Sequence, residues 1–220
     1  MKRGGIDAAL FDWSGTLVDD LDVVWRTNDA TLMSFGVAHQ DVDAFRKGFI
    51  LPWQAFYGLF GLGTPEKLEE VDSRFWQIYR TLSQEIKPFP DALSILTQLK
   101  DSGLKIAVVT QTKRGPLMEQ VRRFGWADLI DVAVAEEDVD ELKPCPKPVL
   151  EALSKLGVSP ERAVFTGDMT EDALAGNRAG VKAISIVRRG SYHTEEMVKL
   201  GDPFAVAHSL PEVARLILSL

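Results

Sequence analysis

The 220-residue sequence is poor in cysteine and histidine, lacks long hydrophobic runs, and has no excess of basic residues. Each shortage excludes a class of protein. Cys145 is the only cysteine, so no intrachain disulfide can form, and a disulfide-stapled secreted miniprotein is excluded. A reducing, cytoplasmic setting is the resulting expectation. The three histidines, His39, His193 and His208, share no ligand spacing, which argues against a zinc site. Lys and Arg number 25 against 32 Asp and Glu, for a formal net charge of -7. A duplex-binding surface needs the opposite balance, so no nucleic-acid partner is expected. The uncharged stretch from Gly48 to Pro65 falls short of the ~20 apolar residues that span a bilayer, and Pro52, Gln54, Gly58 and Gly61 break it. No membrane association is expected. The N-terminus starts basic, but Asp7 and Asp12 interrupt its apolar part, so it reads as a first strand rather than a secretion signal.

Two kinds of pattern divide what is there. From Asp19 to Ile86 the apolar residues recur only at helical spacing: Leu21, Val24, Trp25, Leu32 and Phe35 before Gly36, then an aromatic stripe of Phe49, Trp53, Phe56, Tyr57 and Phe60. A longer stripe runs from Leu68 to Ile86 behind Thr64-Pro65, a helix-start signal. The aromatic stripe reads as plain core of an all-helical insert. Outside this segment, short apolar runs (Ala8–Phe11, Leu104–Val109, Val132–Ala135, Ala163–Phe165, Val181–Val187) alternate with helical stretches ending at Gly103, Gly125, Gly157 and Gly180. That alternation predicts an α/β fold: a mostly parallel sheet with helices on both faces.

In such a sheet ligands bind beyond the carboxyl ends of the strands. Asp12, Thr110 and Asp168 each follow a predicted strand, Lys143 lies in the loop after the third, and Asp172 falls one turn into the next helix. Taken singly, Asp12 or Asp172 would serve as a helix cap, Thr110 as a turn residue and Lys143 as a solvated charge. Together, carboxylates, a lysine and a hydroxyl on one edge suit Mg²⁺ holding a phosphate.

The segments FDWSGTLVD, VVTQT, LKPCPKP and FTGDMTEDALAGNRAG, in this order, resemble the four motifs of the haloacid dehalogenase-like hydrolases. Their phosphoglycolate phosphatase and β-phosphoglucomutase branch has a helical cap inserted after the first motif. The resemblance implies a three-layer, Rossmann-like core from residues 1–17 and 88–220 and a cap from 18–87. It also implies a Mg²⁺-dependent phosphatase acting on a small phosphorylated metabolite through an aspartyl-phosphate, as a monomer or small homo-oligomer. Asp12 would be the nucleophile. Thr110 and Lys143 would hold the phosphoryl oxygens, with Thr16 and Gln111 as further substrate contacts. Asp168 and Asp172 would bind Mg²⁺ with Asp12 and the main-chain carbonyl of Ser14. Arg46 and Lys47, in a loop between cap helices, would read the substrate's other end, whereas Arg188 and Arg189 read as surface charges.

Ser14 departs from the pattern. Phosphatases of this family carry Asp there, which protonates the leaving alkoxide and then activates water. A serine hydroxyl has no useful ionisation near neutral pH. The expectation is a slow phosphatase or one favouring good leaving groups. The alternatives are a phosphonoacetaldehyde hydrolase-like enzyme, whose cap lysine forms a Schiff base, and a low-activity phosphate-binding or regulatory protein.

Overall fold

The run Ala-Ala-Leu-Phe is apolar at every position because its strand is covered on both faces. The structure, a computed structural model, describes residues 5–220; residues 1–4, the start of the expected core segment, lie outside them. In chain order the elements are β1 (Ala8–Phe11), β2 (Val18–Asp19), α1 (Leu21–Ser34), α2 (Val42–Gly48), α3 (Trp53–Gly58), α4 (Pro65–Leu82), β3 (Lys87–Pro88), α5 (Ala92–Asp101), β4 (Lys105–Val109), α6 (Arg114–Phe124) and β5 (Val132–Val134). They continue with α7 (Lys147–Leu156), β6 (Ala163–Gly167), α8 (Thr170–Ala179), β7 (Lys182–Ile186), α9 (Glu195–Lys199), β8 (Ala205–Ala207) and α10 (Leu210–Ser219).

Six strands form one parallel sheet in the order β5-β4-β1-β6-β7-β8. The register places Leu10 between Ala107 and Phe165. Because side chains alternate along a strand, Ala8 and Leu10 pack under α7 and α8, while Ala9 and Phe11 pack under α5, α6 and α10. The result is the expected three-layer, Rossmann-like α/β fold. α7, with Val149, Ala152, Leu153 and Leu156 inward, ends at Gly157 in the left-handed conformation. The last helix, α10, is announced by no strand–helix alternation, yet Ser209 caps it by accepting from the Glu212 N–H, and Leu210, Val213 and Ile217 close one face of the sheet.

Helices α1–α4 lie between the two strands of a separate antiparallel pair, β2 with β3, in which Val18 faces Pro88. This ribbon is absent from the all-helical reading of the segment; two residues per strand are too few to show a period of two. The uncharged stretch is interior in part: Phe49, Phe56, Tyr57 and Leu62 are buried together with Leu32, Phe45 and Val71, whereas Leu59 is exposed. Arg46 and Lys47 are helical rather than in a loop. They sit in the last turn of α2, where cations complement the helix dipole, and the Asp41 side chain caps its start by accepting from the Ala44 N–H. Among the described residues, no helix is long and apolar enough to cross a membrane.

Leu10, fully buried between sheet and helices, and Leu200, 79% exposed, provide a paired test of this packing. Leu10→Ala is expected to cost about 2–5 kcal/mol in urea unfolding with an unchanged slope, and Leu200→Ala less than about 0.5 kcal/mol. Equal losses would contradict the arrangement.

Candidate active site

β1, β4 and β6 end on one edge of the sheet, and the residue after each is polar: Asp12, Thr110 and Asp168. The Asp12 N–H donates to the Thr166 carbonyl at 2.8 Å, which binds the first loop to the end of β6. Lys143 arrives from the loop between β5 and α7, and Asp172 from the first turn of α8.

The Lys143 ammonium is the centre of the cluster. It is 2% exposed and donates to Asp12 Oδ1 at 2.6 Å, Asp172 Oδ1 at 2.7 Å and the Val109 carbonyl at 3.2 Å. All three of its protons are therefore engaged. Burial opposes its charge, but the two carboxylates outweigh burial and hold its pKa above the usual lysine range. Burial pushes the Asp12 carboxyl up to about 7, against the pull of Lys143.

Asp168 is fully buried and makes no ion pair among the described residues; its Oδ2 accepts the Tyr192 N–H at 2.5 Å. Burial first, then the neighbouring Asp12 and Asp172, push its carboxyl well above the usual range. One oxygen from each of Asp12, Asp168 and Asp172 lies within 4.8 Å of the others. Three buried carboxylates against one ammonium leave an excess of negative charge, and an all-oxygen donor set of this kind fits a hard divalent cation such as Mg²⁺.

Two glycines make the close approach possible. Gly15 has φ 71°, and a Cβ on it would lie 2.3 Å from Asp168 Oδ2. A Cβ on Gly167 would lie 2.3 Å from the Asp172 carboxyl carbon.

Of the residues expected at the site, Asp12, Ser14, Thr110, Gln111, Lys143 and Asp172 line one cavity, with about 900 Å³ of empty space counting its open mouth. Asp168 sits behind them. Thr110 Oγ1 accepts the Thr112 N–H at 3.1 Å, and Gln111 Nε2 donates to the Lys143 carbonyl at 3.1 Å. Three expected substrate contacts are not part of the lining. Thr16 is fully buried, its hydroxyl 3.5 Å from Asp168 Oδ1. Arg46 donates to the Ser191 carbonyl at 2.9 Å, and Lys47 is exposed on α2. The aromatic stripe divides: Phe56 is plain core, while Phe49, Trp53 and Tyr57 also face the cavity.

Sequence patterns miss three further contributors. Asp20 has the position of an N-cap for α1, but its side chain makes no capping bond. It accepts instead from the Gly15 N–H at 3.2 Å, the Tyr192 hydroxyl at 3.1 Å and the Ser14 hydroxyl. Burial pushes the Asp20 carboxyl up to about 6, against those hydrogen bonds. Tyr192 links Asp168, Asp20 and, by ring packing at 5.6 Å, Phe49. Arg188 is no surface charge: its guanidinium lies 3.6 Å from the Phe89 ring centroid, pairs with Asp91 at 3.1 Å and donates to the Thr16 carbonyl, bracing the first loop. The one available signal was its place after β7, which opens on the ligand edge.

The profile described as haloacid dehalogenase-like hydrolase matches residues 9–186, which include every residue of the cluster. The chain belongs to this family. Among its members, pyrophosphatase PpaX of Halalkalibacterium halodurans is 26% identical over 215 residues, covering 96% of this chain and 97% of the relative. N-acetylmuramic acid 6-phosphate phosphatase of Pseudomonas aeruginosa is 31% identical over 201 residues, covering 89% and 88%. The structure of CbbY from Rhodobacter sphaeroides in complex with phosphate superimposes with a TM-score of 0.79 at 25% identity, covering 98% of this chain and 100% of that one.

The charge imbalance predicts a sign. Asp168→Asn removes one carboxylate yet keeps an acceptor for the Tyr192 N–H. In EDTA it is expected to raise the unfolding midpoint by about 2–4 °C, near 1 kcal/mol, and to lose the stabilisation that Mg²⁺ gives the wild type. A lower midpoint in EDTA would contradict the imbalance.

Proposed function

We propose that the protein is a Mg²⁺-dependent phosphatase of a small phosphorylated metabolite in the cytoplasm, working through an aspartyl-phosphate on Asp12. The observation that carries this reading is the buried cluster in which Asp12 and Asp172 hold Lys143 at the floor of a cavity, with Asp168 grouped beside the two carboxylates. The phosphatases and pyrophosphatases among the relatives support it. Residues 18–87 serve as the cap over that floor.

Mg²⁺, held by Asp12, Asp168, Asp172 and the Ser14 carbonyl, would supply charge neutralisation for the phosphoryl oxygens. The remaining work falls to the chain. Since every Lys143 proton is engaged, a phosphoryl oxygen binds by displacing one carboxylate from the ammonium. Thr110, whose hydroxyl accepts the Thr112 N–H and donates to Thr112 Oγ1 at 3.1 Å, turns that proton from Thr112 to a second phosphoryl oxygen. The Asp12 carboxylate attacks phosphorus as the ester oxygen leaves with the bonding pair, and water then hydrolyses the acyl phosphate.

Ser14 lines the cavity but donates its hydroxyl to Asp20, so the usual acid–base carboxylate is missing from the lining at that point. Loss of such a group costs roughly 10²–10⁴-fold in rate, which favours good leaving groups. A Schiff-base reaction lacks its amine: Lys47 is exposed, and among the described residues Lys143 is the one lysine in the lining.

Hydrolysis of an aryl phosphate should require Mg²⁺ and vanish in Asp12→Asn. Full activity in EDTA, or in that variant, would refute the reading. Ser14→Asp alone would face Asp20 with a second carboxylate. The double variant Ser14→Asp/Asp20→Ser exchanges the two roles and is expected to raise turnover of alkyl phosphates more than of aryl phosphates. Equal effects on both would show that another group transfers the proton.

A further inference from the structure

The cavity has two unlike halves. Opposite the charged floor, the wall consists of Phe49, Leu51, Trp53, Phe75, Trp76 and Tyr79, carried by α3, α4 and the segment before α3. Leu51, Trp53, Phe75 and Trp76 remain only partly buried. Large apolar side chains left uncovered around a concave space gain stability when an apolar group covers them.

The two acidic residues in this wall already have hydrogen-bond partners within the protein. Both oxygens of Asp72 accept from Lys113 Nζ, at 2.9 and 2.7 Å, and that ammonium lies 5.1 Å from the Trp76 ring centroid. Glu136 Oε1 accepts the Trp53 indole N–H at 3.1 Å. Apart from Lys143 on the floor, no Lys or Arg among the described residues lines the cavity; Arg46 is held on the Ser191 carbonyl. A second phosphate or a carboxylate on the substrate would therefore meet rings and two acidic residues with no cation to receive it. A cationic group would find Asp72 already occupied by Lys113, which also lies over the Trp76 ring.

We propose that the group esterified to the substrate's phosphate is a neutral, apolar moiety of about the size of an aromatic ring, bound between α3 and α4 by Trp53, Phe75 and Trp76. This rests on the phosphatase reading for the phosphate end and adds the identity of the other end. It separates the chain from enzymes whose substrates carry a second anion.

The test compares benzyl phosphate with ethyl phosphate, phosphoglycolate and phosphocholine at fixed Mg²⁺. Benzyl and ethyl esters both release alkoxides, so a difference between them reports the wall rather than the leaving group. Benzyl phosphate is expected to have a kcat/KM roughly 10- to 100-fold above ethyl phosphate, the worth of burying one ring, and above phosphoglycolate and phosphocholine. Trp76→Ala should lower that advantage about tenfold, chiefly through the KM of benzyl phosphate. Binding gives a readout independent of turnover. On the wild-type protein with Mg²⁺, benzylphosphonate should quench tryptophan fluorescence at concentrations at least about tenfold lower than ethylphosphonate or phosphonoacetate require. Equal or tighter binding of phosphonoacetate, or faster cleavage of phosphoglycolate or phosphocholine than of benzyl phosphate, would overturn the proposal. If an aryl phosphate also resists hydrolysis, the phosphatase reading fails, and the phosphonate series alone still decides what the wall accepts.

Discussion

One buried ammonium determines how the site is assembled. Lys143 reaches the ends of β4 and β1 and the start of α8 at once, through the Val109 carbonyl, Asp12 and Asp172. Removing a partner from a buried, hydrogen-bonded charge typically costs about 3–5 kcal/mol, because the remaining charge is stranded away from water. The loop that carries Lys143 is thus tied to the sheet by its own chemistry, and the backbones beside it must leave room. Gly15 and Gly167 do so, each presenting no Cβ to a carboxylate packed against it. Hydrophobic packing on the two faces of the sheet holds the edge rigid, and the polar cluster uses that rigidity to keep like charges close together.

Much of this was legible in the sequence, and the parts that were not share a cause. Strands and helices of the core have strong periods and clear stops, and parallel topology fixes which edge receives the residue after each strand. Asp12, Thr110, Lys143, Asp168 and Asp172 could therefore be grouped without coordinates. Thr16, Arg46 and Lys47 could not be placed, since side-chain direction within a turn or helix end depends on partners far along the chain, such as the Ser191 carbonyl for Arg46. Asp20 and Tyr192 were hidden for the same reason: one looks like a helix cap, and the other lies in a loop with no period. Periodicity also says which side of a helix is apolar, but not whether that side meets other side chains or an empty space. Trp53 and Phe56 belong to one stripe and meet different surroundings.

The region around Ser14 shows how a local substitution is embedded. The serine hydroxyl faces Asp20, which is held in turn by the Gly15 N–H and the Tyr192 hydroxyl, and Tyr192 also supplies the N–H that fixes Asp168. Asp20 thus holds a carboxylate next to Ser14 but outside the cavity lining, within one hydrogen-bonded chain that also includes Asp168. Changes at residue 14 therefore propagate to Asp168 without passing through the cavity.

The short ribbon of β2 and β3 has a consequence for how the chain folds. β1 and β4 are neighbours in the sheet, yet helices α1–α4 lie between them in sequence. Once Val18 pairs with Pro88, the helices hang from a closed ribbon, and the loop that still has to close between the two central strands shrinks about fourfold. On logarithmic loop-closure scaling that is two halvings, about 1.2 kcal/mol of chain entropy removed from the step that joins β1 to β4. Two residue pairs are too few to contribute much as a sheet, but they make a distant strand pairing nearly a local one.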